Sequence, residues 1–98
     1  MIKLKYFLLL IATFMIFSAK AELNNFKIGE NFFNEKKYDL AKFKFEQDIV
    51  FNPKNESSYL YLSKIYNFKK DDSQEEKNLN TVILLNPKNE EAILNLAL

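Results

Sequence analysis

Cysteine, histidine, tryptophan and arginine are absent from this 98-residue chain, which also has a single glycine and only two prolines. Without thiols or imidazoles there is no disulfide framework, no Cys/His metal site and no catalytic dyad or triad built on either group. One glycine leaves few positions for tight hairpin turns, and no stretch alternates strictly between apolar and polar residues, so strands are disfavoured. Fourteen lysines face 13 acids. They are scattered among those acids and are not gathered into a basic stripe, which argues for a solvated surface and against nucleic-acid binding. The remaining chemistry is that of lysine, carboxylate, hydroxyl and amide, with no convergent polar constellation. The expectation is therefore a protein that is not an enzyme and carries no cofactor or metal. Asp71, Asp72, Glu75 and Glu76 lack the glycine-bearing loop of a calcium site and read as helix-start acids.

The first 21 residues form a unit of their own. Lys3 and Lys5 precede an uncharged, mostly apolar run from Tyr6 to Ala19, and Ala19-Lys20-Ala21 follows. This order of positive, apolar and small predicts a secretory signal peptide over residues 1–21 with a mature start at Glu22. The run is 14 residues long, whereas a membrane-spanning helix needs about 20. Cleavage and export to a periplasmic or extracellular space are thus preferred, and retention of residues 6–19 as a signal anchor is the alternative. Loss of Lys3, Lys5 and Lys20 leaves 11 lysines against 13 acids, a net charge of −2.

An internal repeat is the strongest pattern in the chain. Asn52-Pro53-Lys54-Asn55-Glu56 recurs as Asn86-Pro87-Lys88-Asn89-Glu90, 34 residues later. In the same register Ile49 matches Ile83, Leu60 matches Leu94 and Leu62 matches Leu96, which makes 8 identities over 16 positions. A fixed period of this size means stacked supersecondary units.

Inside each period the apolar spacing is helical. Asn25, Ile28, Gly29 and Phe32 form one stripe, and Tyr59, Leu62, Ser63 and Tyr66 repeat it. A second helix follows in each unit. One is expected over about Tyr38 to Phe51, with Ala41, Phe45 and Ile49 inward; the other over about Ser73 to Leu85, with Leu79, Val82 and Ile83 inward. Pro53 and Pro87 cannot continue a helix and so divide the units. Asn55 and Asn89 are expected as N-caps, each followed by acid in the first turn. The N-cap role takes precedence over the glycosylation pattern Asn55-Glu56-Ser57. Asp72-x-x-Glu75 can form a capping box. Gly29 is expected to face Ala41 and allow close helix packing. Tyr59 and Tyr66 fit the core spacing, so the tyrosine cluster reads as core and not as a stacking platform.

These residues resemble the tetratricopeptide (TPR) repeat, whose pattern is W-x2-L-G-x2-Y, A-x3-F and P over 34 residues. Asn25-x2-Ile28-Gly29-x2-Phe32, Ala41-x3-Phe45 and Pro53 match it in residues 22–55. Tyr59-x2-Leu62-Ser63-x2-Tyr66, Glu75-x3-Leu79 and Pro87 match it in residues 56–89. Ile93-x2-Leu96-Ala97 begins the first helix of a third repeat in residues 90–98. Asn25 in place of the large aromatic, and Glu75 and Asp48 in place of small residues, depart from the pattern. Glu75 is expected to cap its helix from the edge, because a lone buried carboxylate is costly.

The resemblance implies an all-α, TPR-like α-solenoid of stacked antiparallel helix-turn-helix hairpins. It also implies a concave groove that holds a protein or peptide segment. The stripe offset from the core is Leu23, Phe26, Glu30 and Phe33 in the first unit, and Ser57, Leu60, Lys64 and Asn67 in the second, with Phe68 beside it. Phe26 and Leu60 can equally serve as core between neighbouring units. The chain ends on Leu94-Asn95-Leu96-Ala97-Leu98, a poor polar cap, so three expectations stand side by side: the last helix is a crude lid, the open C-terminal end docks a partner or a second copy, or the reading frame is a piece of a longer repeat protein. The sequence thus points to a noncatalytic, exported protein–protein interaction module. The alternative is a membrane-tethered structural subunit. N-terminal sequencing of the purified protein distinguishes the two: a start at Glu22 excludes the tether, and an intact residue 1 sinks the cleavage reading.

Overall fold

A computed structural model of the protein describes residues 24–98, so the expected signal peptide over 1–21 and Leu23 lie outside the described residues. Among those residues the chain forms five helices and no strand. They are α1 (24–34), α2 (Tyr38–Phe51), α3 (Glu56–Phe68), α4 (Asp72–Leu85) and α5 (Glu90–Ala97). The α2 range is the one expected, and α4 begins one residue earlier than expected, at Asp72. Each helix packs on the next. Tyr38 meets Phe68, the Phe45 ring meets Tyr61, and Asp48 meets Ser58, so α2 and α3 run antiparallel. Phe33–Tyr38 and Phe26–Phe45 contacts set α1 against α2 in the same way.

The 34-residue spacing is written into the backbone. α1 ends with Lys36 N–H donating to the Phe33 carbonyl and Lys37 N–H to the Phe32 carbonyl. α3 ends with Lys70 N–H donating to Asn67 and Asp71 N–H to Tyr66. Both are Schellman closures. Their left-handed residues are Lys36 (φ 62°) and Lys70 (φ 58°), one period apart. Lysine here carries a steric cost of about 1–2 kcal/mol that glycine would not. The proline turns match as well, with Asn55 N–H on the Asn52 carbonyl and Asn89 N–H on the Asn86 carbonyl, both at 3.1 Å.

The core is two clusters and not one seam. Phe45, Leu62, Ile65 and Ala41 form the first, with Phe26, Phe33 and Tyr61 packed against it. Leu79, Val82 and Ala92 form the second, with Leu60, Ile83 and Leu96 against it. Gly29 lies under Phe45 and not simply opposite Ala41: a methyl at that position would sit 2.8 Å from Phe45 Cε1. Close approach of a ring, more than of a helix backbone, is what requires the glycine.

Side chains around the two proline turns differ, and the difference is systematic. Asp48 is 1% exposed. Its Oδ1 accepts from Asn52 Nδ2 at 3.0 Å, and its Oδ2 accepts from Asn55 Nδ2 at 2.8 Å and from Ser58 Oγ at 2.5 Å. A buried carboxylate is tolerable when its lone pairs are met in this way. Asn55 therefore does not cap α3 with its side chain, contrary to expectation. The positions one period on from Asp48 and Ser58 are Val82 and Ala92, both fully buried. There Asn89 is released to cap α5, accepting from Ala92 N–H at 2.9 Å. Asn86 and Asn89 turn their amides to Glu56 at 3.3 and 3.0 Å. The same turn is thus closed around a polar pair in one unit and an apolar pair in the next.

Asp48→Val alone strands the donors of Asn52, Asn55 and Ser58 and is expected to cost about 2–4 kcal/mol. Combining it with Ser58→Ala transplants the pair used in the second unit and should recover much of that loss. Urea unfolding followed by circular dichroism measures both, with a coupling of about 1–3 kcal/mol expected. Simple additivity of the two substitutions is the outcome that contradicts the reading.

Candidate partner-binding groove

The nine residues nominated from the sequence divide into separate environments. Leu23 lies outside the described residues. Phe26 and Phe33 are half-buried and close around Tyr61, with ring centroids 6.0 and 4.9 Å away, while Tyr61 stacks on Phe45 at 4.7 Å and 8°. Glu30 accepts the Tyr61 hydroxyl at 3.0 Å. Leu60 packs on the second cluster, so Phe26 and Leu60 both serve as inter-unit core. Ser57 is exposed at the start of α3. Lys64, Asn67 and Phe68 remain, and the structure brings these three together on one concavity.

That concavity has a volume of about 620 Å³ and lies where α3 and α4 extend past the tip of α5. α3 supplies Lys64, Asn67 and Phe68; α4 supplies Asp72, Glu75, Glu76 and Leu79; α5 supplies Leu96, and Leu98 follows it. In the first unit the matching groove between α1 and α2 is filled by α3, with Tyr61 on Phe45 and Phe68 on Tyr38. One period on, the positions of Phe33, Tyr38 and Tyr61 hold Asn67, Asp72 and Asn95. The second groove is accordingly more polar.

Its charge is acidic. The Lys64 ammonium is committed to Glu91 at 2.7 Å and lies 5.4 Å from the Tyr61 ring, which pins α5 to α3. No such partner meets Glu75: its Oε2 is buried and has no hydrogen-bond partner among the described residues. The expected capping box does not form. Asp71, one residue earlier, is the N-cap, with its Oδ1 accepting from Gln74 N–H at 3.2 Å. Glu75 is thus left to line the groove and does not close the helix end. The carboxylates of Asp72 and Glu76 line the same groove and give it its acidic character. The sequence carried a signal for Glu75, which stands where the repeat pattern wants a small residue. The other α4 residues of the groove carried none.

Neither the protein-family models nor the curated proteins match this sequence. No helix among the described residues is long and apolar enough to cross a membrane.

The Tyr61 phenol gives the packing around Phe26 and Phe33 a pH signature. Burial raises its pKa above the ordinary 10.0, and the hydrogen bond to Glu30 adds to the shift. The folded state holds this proton more tightly than the unfolded state does. Its contribution to stability is therefore complete below the ordinary phenol value and is lost as pH rises through the folded-state value. Alkaline unfolding should be less steep in Tyr61→Phe than in the parent. Unchanged steepness would show that Tyr61 ionises as freely as an exposed tyrosine.

Proposed function

We propose that this protein is a noncatalytic interaction module, exported across a membrane, and built as a TPR-like α-solenoid of about two repeats with the first helix of a third. The 34-residue recurrence of the Schellman closures and of the Asn-Pro turns supports that architecture. The ligand is a protein or peptide segment, held in the groove between α3 and α4 beyond α5. The lining of that groove, acidic at Asp72, Glu75 and Glu76 and apolar at Leu79 and Leu96, carries this reading. A segment that fits presents an apolar side chain to Leu79, Leu96 and Phe68. Beside it lies a lysine, arginine or amide donor directed at Glu75 and its neighbours Asp72 and Glu76. Export rests on the positive, apolar and small order of residues 1–21.

Selection from a random peptide display library with the full chain tests the ligand. The expected enrichment is of peptides pairing a basic with a large apolar residue. Glu75→Gln with Glu76→Gln should weaken their binding by about tenfold, the equivalent of roughly 1.4 kcal/mol, with helicity unchanged. Enrichment of acidic peptides, or equal binding by the double variant, would refute the assignment.

A further inference from the structure

α2 is apolar on the side that its neighbours do not cover. Ala41, Phe45 and Asp48 point into the core. On the opposite side Leu40, Phe43, Val50 and Phe51 are 50%, 57%, 73% and 52% exposed. Their spacing of i, i+3, i+10 and i+11 places them on one face, about 16 Å long at 1.5 Å per residue. The molecule provides its own comparison. The positions one period on from Leu40, Phe43, Val50 and Phe51 are Gln74, Lys77, Leu84 and Leu85, so the same face of α4 is polar over its first two turns and apolar only at its end. An outward α2 face that retains two phenylalanines is not a requirement of the fold.

Charge around this face selects the occupant. Asp39 pairs with Lys69, Glu46 with Lys42 and Glu35 with Lys37. Asp48 is turned inward among its hydrogen-bond donors. Every acid of α2 and its preceding turn is thus engaged. Lys36, Lys44 and Lys54 have no ion-pair partner among the described residues; Lys70, Lys77 and Lys88 are likewise unpaired around α4, so what sets α2 apart is the two exposed rings beside its lysines. Lys44 Nζ lies 5.8 Å from the Phe43 ring, so cation and aromatic edge the same surface. Exposed aromatic and aliphatic side chains bordered by unpaired lysines are complementary to an anionic lipid surface. Phenylalanine and leucine enter the acyl boundary there while ammonium groups meet the headgroups. We propose that the outer face of α2 is a membrane-resting surface for anionic lipid bilayers, and that it leaves the acidic α3–α4 groove turned elsewhere for its ligand.

The absence of tryptophan makes this testable in the full chain. Phe43→Trp places one reporter on the face, and Leu84→Trp places another on α4, where Leu84 is 84% exposed. Both are read on vesicles of phosphatidylcholine alone and of phosphatidylcholine with phosphatidylglycerol, each with and without brominated acyl chains. On the anionic vesicles the Phe43→Trp reporter should shift to the blue and be quenched by bromine, while the Leu84→Trp reporter keeps its aqueous emission. Adding Lys36→Glu, Lys44→Glu and Lys54→Glu should abolish the response. Val50→Trp serves as an independent reporter if Phe43→Trp lowers the helical circular dichroism. Equal responses from α2 and α4, equal responses on both vesicle types, or no response overturn the proposal. A blue shift that grows with protein concentration and needs no vesicles also overturns it, by assigning the face to a second copy of the chain.

Discussion

The stack of Tyr61 on Phe45 holds together everything that precedes α4. Phe45 comes from α2, Tyr61 from α3, and the α1 residues Phe26, Gly29 and Glu30 enclose the pair from the third side. Neither unit completes this cluster alone. The α1–α2 hairpin exposes Phe45 until α3 arrives, and α3 exposes Tyr61 until it finds the hairpin. Cohesion between units is therefore a packing event between large aromatic rings. Its geometric tolerance is small, because Phe45 already lies against the position where Gly29 lacks a side chain.

The second unit solves the same problem with less. Leu79 stands for Phe45 and Asn95 for Tyr61, so α5 adheres through Val82, Ala92 and Leu96 and through the Lys64–Glu91 ion pair. Weaker coverage of α4 leaves the groove open, and the open groove is where unsatisfied carboxylate accumulates. A loss of stabilising contact and a gain of binding potential thus have one structural origin. Acid gathers on the groove at Asp72, Glu75 and Glu76, while unpaired lysines flank both α2 and α4.

The helical class and the bounds of α2 and α4 were legible because they depend on local chemistry: 3.6-residue apolar spacing and two prolines. Features that depend on long-range pairing were not. Asn55 looks like an N-cap in isolation, and only the arrival of Asp48 from α2 diverts its amide. Tyr61 lies off the core stripe of α3, and its central place follows from α1 supplying Phe33 and Glu30 around it. Asp71 and Asp72 are equivalent as caps on sequence, and the Schellman closure at Lys70 decides between them. Of the nine nominated residues only three line the concavity, Lys64 and Asn67 from the stripe and Phe68 from beside it, while Phe26 and Phe33 are drawn inward by the aromatic cluster. Nothing in the α3 pattern shows which residues of α4 would face them.

The two Asn-Pro junctions share a backbone path while differing in the side chains that fill them. A junction of this kind is interchangeable stock. The turn does not dictate what fills it: a polar plug of Asp48 and Ser58 and an oily one of Val82 and Ala92 serve the same path.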